Sequence, residues 1–245
     1  MEKTQFTICL AGIPIRISAI YHSTKEFCHD YLSDDTPAFS LEVMPQDIGY
    51  EREKSAREDA IEGISPRHFS DAYLETLAVY RQISEQMLDY GILLFHGSVV
   101  AVDGRAYVFT AKSGTGKSTH TRLWRTLLGS RAIMVNDDKP LLRVAEDGVT
   151  AFGTPWDGKH HLSSNIAVPV QAICILERGE QNRIWEMDAR DAWPMLMQQS
   201  YRSGSPQKLA HTMNLLDQMA AKVNLYHMAC NMQISAAEMS YQKMR

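Results

Sequence analysis

Apolar positions follow several rhythms along the chain. Two short runs, Phe6–Leu10 and Ile13–Ile20, flank Ala11–Gly12 and predict a β-hairpin. The segment PAFSLEVM at 37–44 is a further candidate strand, and Asp47–Glu62 is charged and weakly periodic, predicting a surface helix or a mobile segment. From Ser70 the rhythm turns helical, with Tyr73, Leu74, Leu77, Tyr80, Ile83 and Leu88 on one face. Ser70 is placed to cap the start and Gly91 to end the helix.

The centre changes character. ILLF (92–95), SVVAV (98–102) and AYVFT (106–110) predict strands, with Asp103–Gly104 as a hairpin turn between the last two. HTRLWRTLL (120–128) is helical up to Gly129, and AIMV (132–135) has the continuous apolar character of a strand buried on both faces. LLRVA and VTAFG flank a turn at Asp147–Gly148, and VQAICILE (170–177) predicts another buried strand. The last sixty residues are mainly helical. Ser205–Pro206 and Ser235 are candidate helix starts, and Asn224–Met228 is a candidate strand. With no repeat and no linker in view, the pattern predicts one α/β core over 92–245, with a β+α region, 1–91, packed on it.

Composition narrows the function classes. Among 245 residues, 25 Lys+Arg against 29 Asp+Glu give a net charge of −4, which offers no basic field for a nucleic acid backbone. The N-terminal apolar stretch is interrupted by Gly12, Pro14 and Arg16, unlike a secretory leader, and no run approaches the roughly 18 apolar residues of a membrane span. The cysteines at 9, 28, 174 and 230 form no CxxC pair and read as buried free thiols in a reducing compartment, so the expected location is cytoplasmic, without a membrane partner. The sequence leaves the oligomeric state open, a homo-oligomer included. The 13 methionines crowd the C-terminal third, Met195, Met197, Met213 and Met219 among them, as expected of adaptable core packing.

The chemistry concentrates between residues 96 and 160. Ala111-Lys112-Ser113-Gly114-Thr115-Gly116-Lys117-Ser118 lies between a predicted strand and a predicted helix, the context in which a glycine-rich loop binds phosphate. Gly114 and Gly116 let the backbone curl so that amides from Ser113 to Thr119 face one concavity, and the helix N-terminus adds its dipole. Lys117 suits the β and γ phosphates, and the Ser118 hydroxyl suits a Mg²⁺ bridging them, so ATP and Mg²⁺ are the expected cofactors. Ala111 replaces the first glycine of the usual pattern, which questions the tightness of the first turn. The competing explanation is a glycine-rich turn that binds nothing.

About twenty residues on, AIMV runs into Asn136-Asp137-Asp138. Adjacent aspartates on an extended backbone point to opposite sides and so take different tasks, one toward a metal and one toward an attacking hydroxyl. Both could instead belong to a polar turn with Lys139–Pro140. His96, after an apolar strand, is by itself more often structural than catalytic. The loop Phe152–Lys159 is equally readable as an acceptor pocket or a surface turn, and His160 and His161 lack partners at zinc-ligand spacing. Arg122, Arg178 and Arg183 are further candidates to neutralise phosphate, though most arginines at such positions are solvated.

FHGSVVAVDGRAYVFTAKSGTGKST followed by AIMVNDD resembles the catalytic domain of HPr kinase/phosphorylase, and through it the nucleotide-binding half of ATP-dependent phosphoenolpyruvate carboxykinase. GTPWDGK and NIAVPVQAICILERG resemble small bacterial proteins related to both. The likeness is specific over 95–140, looser to about 180, and absent before 90. It implies a P-loop α/β core with a mixed central sheet. It also implies His96 at the active site, Asp137 as base and Asp138 as metal-side carboxylate, the exchange of the two remaining open. Thr119 stands where HPr kinases usually carry Glu, and their HPr-capture signature is missing downstream, so the resemblance does not extend to that acceptor. The expectation is an ATP·Mg²⁺-dependent kinase acting on a hydroxyl of a peptide or protein serine or of a small molecule, with catalytic Lys117, Asp137 and His96. The alternatives are a nucleotide-sensing module without transfer and a carboxykinase-like decarboxylation coupled to phosphoryl transfer.

Overall fold

The computed structural model describes residues 3–245, the Glu62 side chain excepted, and divides after Gln86 into two compact units. In the first, β1 (Thr4–Leu10) and β2 (Ile13–Ala19) pair antiparallel. Ala11 and Gly12 between them take φ of 48° and 71°, the left-handed pair that a tight hairpin demands. α1 (His22–Phe27) leads to β3 (Phe39–Glu42), which joins β2 in parallel. Strand alternation buries Ile8, Leu10, Ile15 and Ile17 on one face.

The charged segment is a helix, α2 (Pro45–Glu62), ended by Gly63 at φ 69°. α3 (Asp71–Met87) follows, the Ser70 hydroxyl accepting from the Tyr73 amide. The expected apolar face of α3 needs correction. Tyr73 is exposed and Leu77 half-buried, while Glu75 is buried in that face. Its carboxylate accepts from the Ile20 and Tyr21 amides and the Thr24 hydroxyl, so a structural demand for hydrogen bonds replaces apolar contact there.

The second unit is built on one curled, mixed sheet. β4 (Ile92–Leu94) precedes the hairpin of β5 (Ser98–Val102) and β6 (Arg105–Thr110), turned by Asp103 and Gly104 at positive φ. α4 (Lys117–Leu128) leads to β7 (Ala132–Asn136), then β8 (Leu141–Ala145), β9 (Gly148–Phe152) and the long β10 (Ala167–Arg178). β11 (Arg183–Glu186), α5 (Ala189–Gln199), α6 (Pro206–Lys222), β12 (Asn224–Cys230) and α7 (Ile234–Met244) complete it.

β10 joins two halves of the sheet. Ala167–Pro169 pair antiparallel with β9, in the order β4-β8-β9, and the rest of β10 runs parallel to both β6 and β12. β6 continues through β5 to β7. Side-chain alternation divides the core in two: Val99, Ala101, Val108 and Ile173 pack with Leu196, Leu215 and Met219, whereas Val100, Tyr107, Phe109 and Cys174 pack with Trp124, Ala236 and Met244. α5 and α6 therefore cover one face, and α4 and α7 the other.

β7 is not buried on both faces as expected. It ends the strand order, and Ile133 is 50% exposed beyond the reach of the covering helices. The two predicted serine caps also change. Ser205 precedes α6 but makes no side-chain bond to the helix amides, and Ser235 lies inside α7, accepting from Asn182 Nδ2. The methionines divide likewise: Met219 is fully buried and Met195 and Met197 pack on the core, but Met213 is exposed. All four cysteines are free, but only Cys28 and Cys174 are buried as expected, Cys9 and Cys230 being half-buried. Among the described residues, no helix is long and apolar enough to cross a membrane.

Candidate active site

β6 delivers the chain into the glycine-rich loop and α4 takes it out, so the loop is fixed at both ends. Gly114 and Gly116 have φ of 75° and 121°, conformations that a side chain would strain. The Thr115 amide donates to Lys112 O, and His120 N is bonded to Gly116 O, so the amides of the first turn of α4 precede the intrahelical ladder and lack its acceptors. Ala111 is buried among Phe109 and Trp124 without positive φ, so the first turn does not need glycine and the methyl contributes to the core. Lys117 is buried, with Nζ 3.4 Å from Ala111 O. Burial lowers its pKa, against the opposing charges of Asp138 and Asp137.

Asn136 sets the direction of the aspartates. Fully buried at the end of β7, it accepts the Asp138 and Lys139 amides on Oδ1 at 2.9 and 2.7 Å. Its Nδ2 donates to the Thr154 carbonyl and hydroxyl. The resulting turn sends the two carboxylates apart. Asp137 accepts from Ser98 Oγ at 2.5 Å and from the Ser118 side chain. Burial raises its pKa despite these two bonds. Ser98 also shares a 2.9 Å hydrogen bond with Thr121, so β5, β7 and α4 meet at this carboxylate.

Asp138 faces the other way, with Oδ1 3.2 Å from His96 Nε2 and Oδ2 3.5 Å from Lys139 Nζ. Its burial favours the neutral acid, but the His96 hydrogen bond and the charges of Lys139, His96 and Lys117 outweigh that and lower its pKa. The His96–Gly97 segment is pinned by backbone bonds: His96 N donates to Gln199 O, Gly97 N to Asp138 O, and Thr110 Oγ1 to His96 O. His96 itself keeps 37% of its side chain accessible.

The Phe152–Lys159 loop supports this turn from behind. A Cβ on Gly158 would meet Asp138 Cβ at 3.1 Å, and buried Asp157 accepts from His161 and Ser163. His160 is close enough for its charge to act on Asp137. Gly153 has the least room: a Cβ there would lie 2.0 Å from Ser164 O and 2.7 Å from Val135 O, both backbone. Gly153→Ala is therefore expected to cost about 3 kcal/mol in chemical denaturation, because the β7 end and the segment around Ser164 must separate from it.

His96, Lys117, Ser118, Asp137 and Asp138 thus gather at one end of the sheet. Ser113 and Gly114 are exposed on the loop, while Thr115, Gly116 and Thr119 face a cavity on its far side. All three arginines are exposed, and Arg178 donates to Gly114 O at 2.6 Å. Sequence reading missed Ser98, Thr121 and Thr154. Only the polar position of Ser98 at the head of an apolar strand signalled it.

The fold and site define a mixed α/β protein in which a glycine-rich strand–loop–helix turn faces paired aspartates. The chain belongs to the family described as SynChlorMet cassette protein ScmC, which matches residues 70–237. No curated protein is similar enough to count as a relative. Among solved structures, the Hpr(Ser) kinase/phosphatase from Coxiella burnetii is 11% identical, with a TM-score of 0.34 over 62% of this chain and 92% of that one. That likeness is too loose to argue from.

Proposed function

We propose that the chain is an ATP- and Mg²⁺-dependent phosphotransferase that moves the γ-phosphoryl group to a hydroxyl of a peptide or protein serine or of a small molecule. One observation carries this reading: a buried lysine at the start of a glycine-looped helix lies within electrostatic reach of two carboxylates that have different partners. Lys117 and the first-turn amides neutralise charge on the phosphoryl oxygens.

The division of labour between the aspartates favours the exchange left open by the sequence. Asp137 shares Ser118 and so takes the metal side. One carboxylate and one hydroxyl suit a Mg²⁺ that arrives with nucleotide phosphates and keeps its waters. Among the described residues, no group of three or more His, Cys, Asp or Glu is arranged to hold a metal without such help. When bound, the ion neutralises charge on the β and γ phosphates.

Asp138, kept ionised, accepts a hydrogen bond from His96 Nε2–H, which leaves Nδ1 as the nitrogen that can act as base. Nδ1 takes the proton of the acceptor hydroxyl as its oxygen bonds to the γ phosphorus. The bond from that phosphorus to the β-phosphate oxygen breaks, and ADP leaves with the electron pair. The test is incubation with γ-labelled ATP, Mg²⁺ and a panel of serine peptides and hydroxylated metabolites, read by mass. A labelled acceptor with matching ADP is expected. ATP binding without any labelled product would instead make the protein a nucleotide sensor.

A further inference from the structure

The last residues paired between β6 and β10 are Thr110 and Ile175. β6 ends there and gives way to the glycine-rich loop, whereas Leu176, Glu177 and Arg178 continue β10 past it. β12 backs this overhang at every step, Leu176 facing Met228, Glu177 facing Ala229 and Arg178 facing Cys230. The Gly179 amide then donates to Cys230 O, and a Cβ on Gly179 would meet the Ala229 side chain at 3.0 Å. The backbone that carries Arg178 is therefore closely held. From it the guanidinium donates to Gly114 O at 2.6 Å, across 64 residues of sequence.

The peptide between Gly114 and Thr115 is thereby held from both sides. Its N–H donates to Lys112 O at 3.2 Å, closing a turn in which Gly114 takes the third position at φ 75°. Its carbonyl is held by Arg178. Packing adds nothing: a Cβ built on Gly114 would meet no atom within 4 Å, and Lys112, Ser113 and Gly114 are exposed. Glycine passes readily between backbone states, so without the guanidinium this peptide is free to turn over. Doing so breaks the Thr115 bond to Lys112 O and changes the direction in which the chain enters Gly116. The amides that follow then lose their common aim, and an anion must pay to restore it when it binds.

We propose that Arg178 is a positioning residue for the phosphate-binding loop. It fixes the Gly114–Thr115 peptide before nucleotide arrives, so that the amides from Gly116 onward meet the polyphosphate already aimed. The inference rests on the phosphate-binding role proposed above for the loop. Arg178→Met tests it, because methionine keeps an apolar stem and removes every donor. The side chain is exposed, so thermal unfolding of the variant should stay within a few degrees of the parent.

In the ligand-free variant, exchange of the Thr115 amide with solvent, followed by NMR, is expected to quicken about tenfold as its bond to Lys112 O opens. Calorimetric titration with Mg²⁺ present is expected to show ATP and inorganic tripolyphosphate weakened alike, each about tenfold. Both losses should keep their size between about 0.1 M and about 1 M KCl, although screening shortens the reach of a charge from ~10 to ~3 Å. A loss that vanishes at high salt would mean that Arg178 acts on the nucleotide as a bare charge, which overturns the positioning role. Unchanged Thr115 exchange, unchanged affinity, or a loss confined to ATP would overturn it too. Failure of the parent protein to bind either polyphosphate would instead overturn the phosphate-binding role of the loop, on which this one depends.

Discussion

Replacing Lys117 with alanine is expected to lower phosphoryl transfer by about 10²–10³-fold while the protein stays folded. The two halves of this expectation come from the same contacts. The ammonium is buried, its one hydrogen bond to Ala111 O is long at 3.4 Å, and burial disfavours its charged form. The fold therefore gains little from it, and thermal unfolding of the variant should fall within a few degrees of the parent. What it supplies is a desolvated positive charge where the loop amides converge, which a solvated lysine could not match. Lys117→Arg should not restore transfer, because a planar guanidinium has no room in a site filled by a point charge on a folded-back stem. Measured with labelled ATP and an acceptor found by mass, transfer near parental levels in Lys117→Ala would remove the lysine from the chemistry.

What the chain announces in advance is what depends on neighbouring residues. Ala11–Gly12 and Asp103–Gly104 encode their hairpins because positive φ is a local requirement. The glycine-rich loop was equally legible, since Gly114 and Gly116 are needed by the backbone whatever surrounds them. Burial was less legible, because it depends on which element comes to lie outside. Ile133 looks like core until β7 proves to be the last strand, and Glu75 looks like helix surface until three donors, two from the turn after β2 and one from α1, converge on it.

The same limit applies to the site. The aspartates could be picked out and expected to diverge, but not which faces what. That is decided by Asn136 bonding Thr154, eighteen residues away, and by Ser98, thirty-nine residues before Asp137. No spacing rule links those positions. The Phe152–Lys159 loop, evenly balanced between pocket and surface on sequence, proves to support the Asp138 turn because Gly153 permits a backbone approach that any side chain would block and Gly158, at positive φ, lies close against the Asp138 side chain.

The opposite orientation of the carboxylates leads to a second large effect, one that separates their tasks. His96→Gln is expected to reduce kcat by about 10²–10⁴-fold with nucleotide affinity unchanged, because it removes the basic nitrogen and touches nothing on the Ser118 side. Asp137→Asn should do the reverse at the binding step, weakening Mg·ATP at least about tenfold while metal-free ATP binds as well as before or better. The ordering follows from charge: without the ion, an ionised Asp137 repels the γ phosphate; with it, the carboxylate holds the ion.

The pH dependence gives a readout that a merely structural aspartate would not move. Burial raises the Asp137 pKa in the folded protein, so as pH falls through that value a proton competes with the metal and Mg·ATP affinity drops. Asn at 137 should flatten that acid limb. Asp138, whose pKa is lowered, stays ionised over the same interval and cannot supply the limb in its place. If Asp137→Asn instead leaves the Mg²⁺ dependence intact and abolishes transfer, Asp137 is the base after all, and the pair formed by His96 and Asp138 only positions the loop before β5.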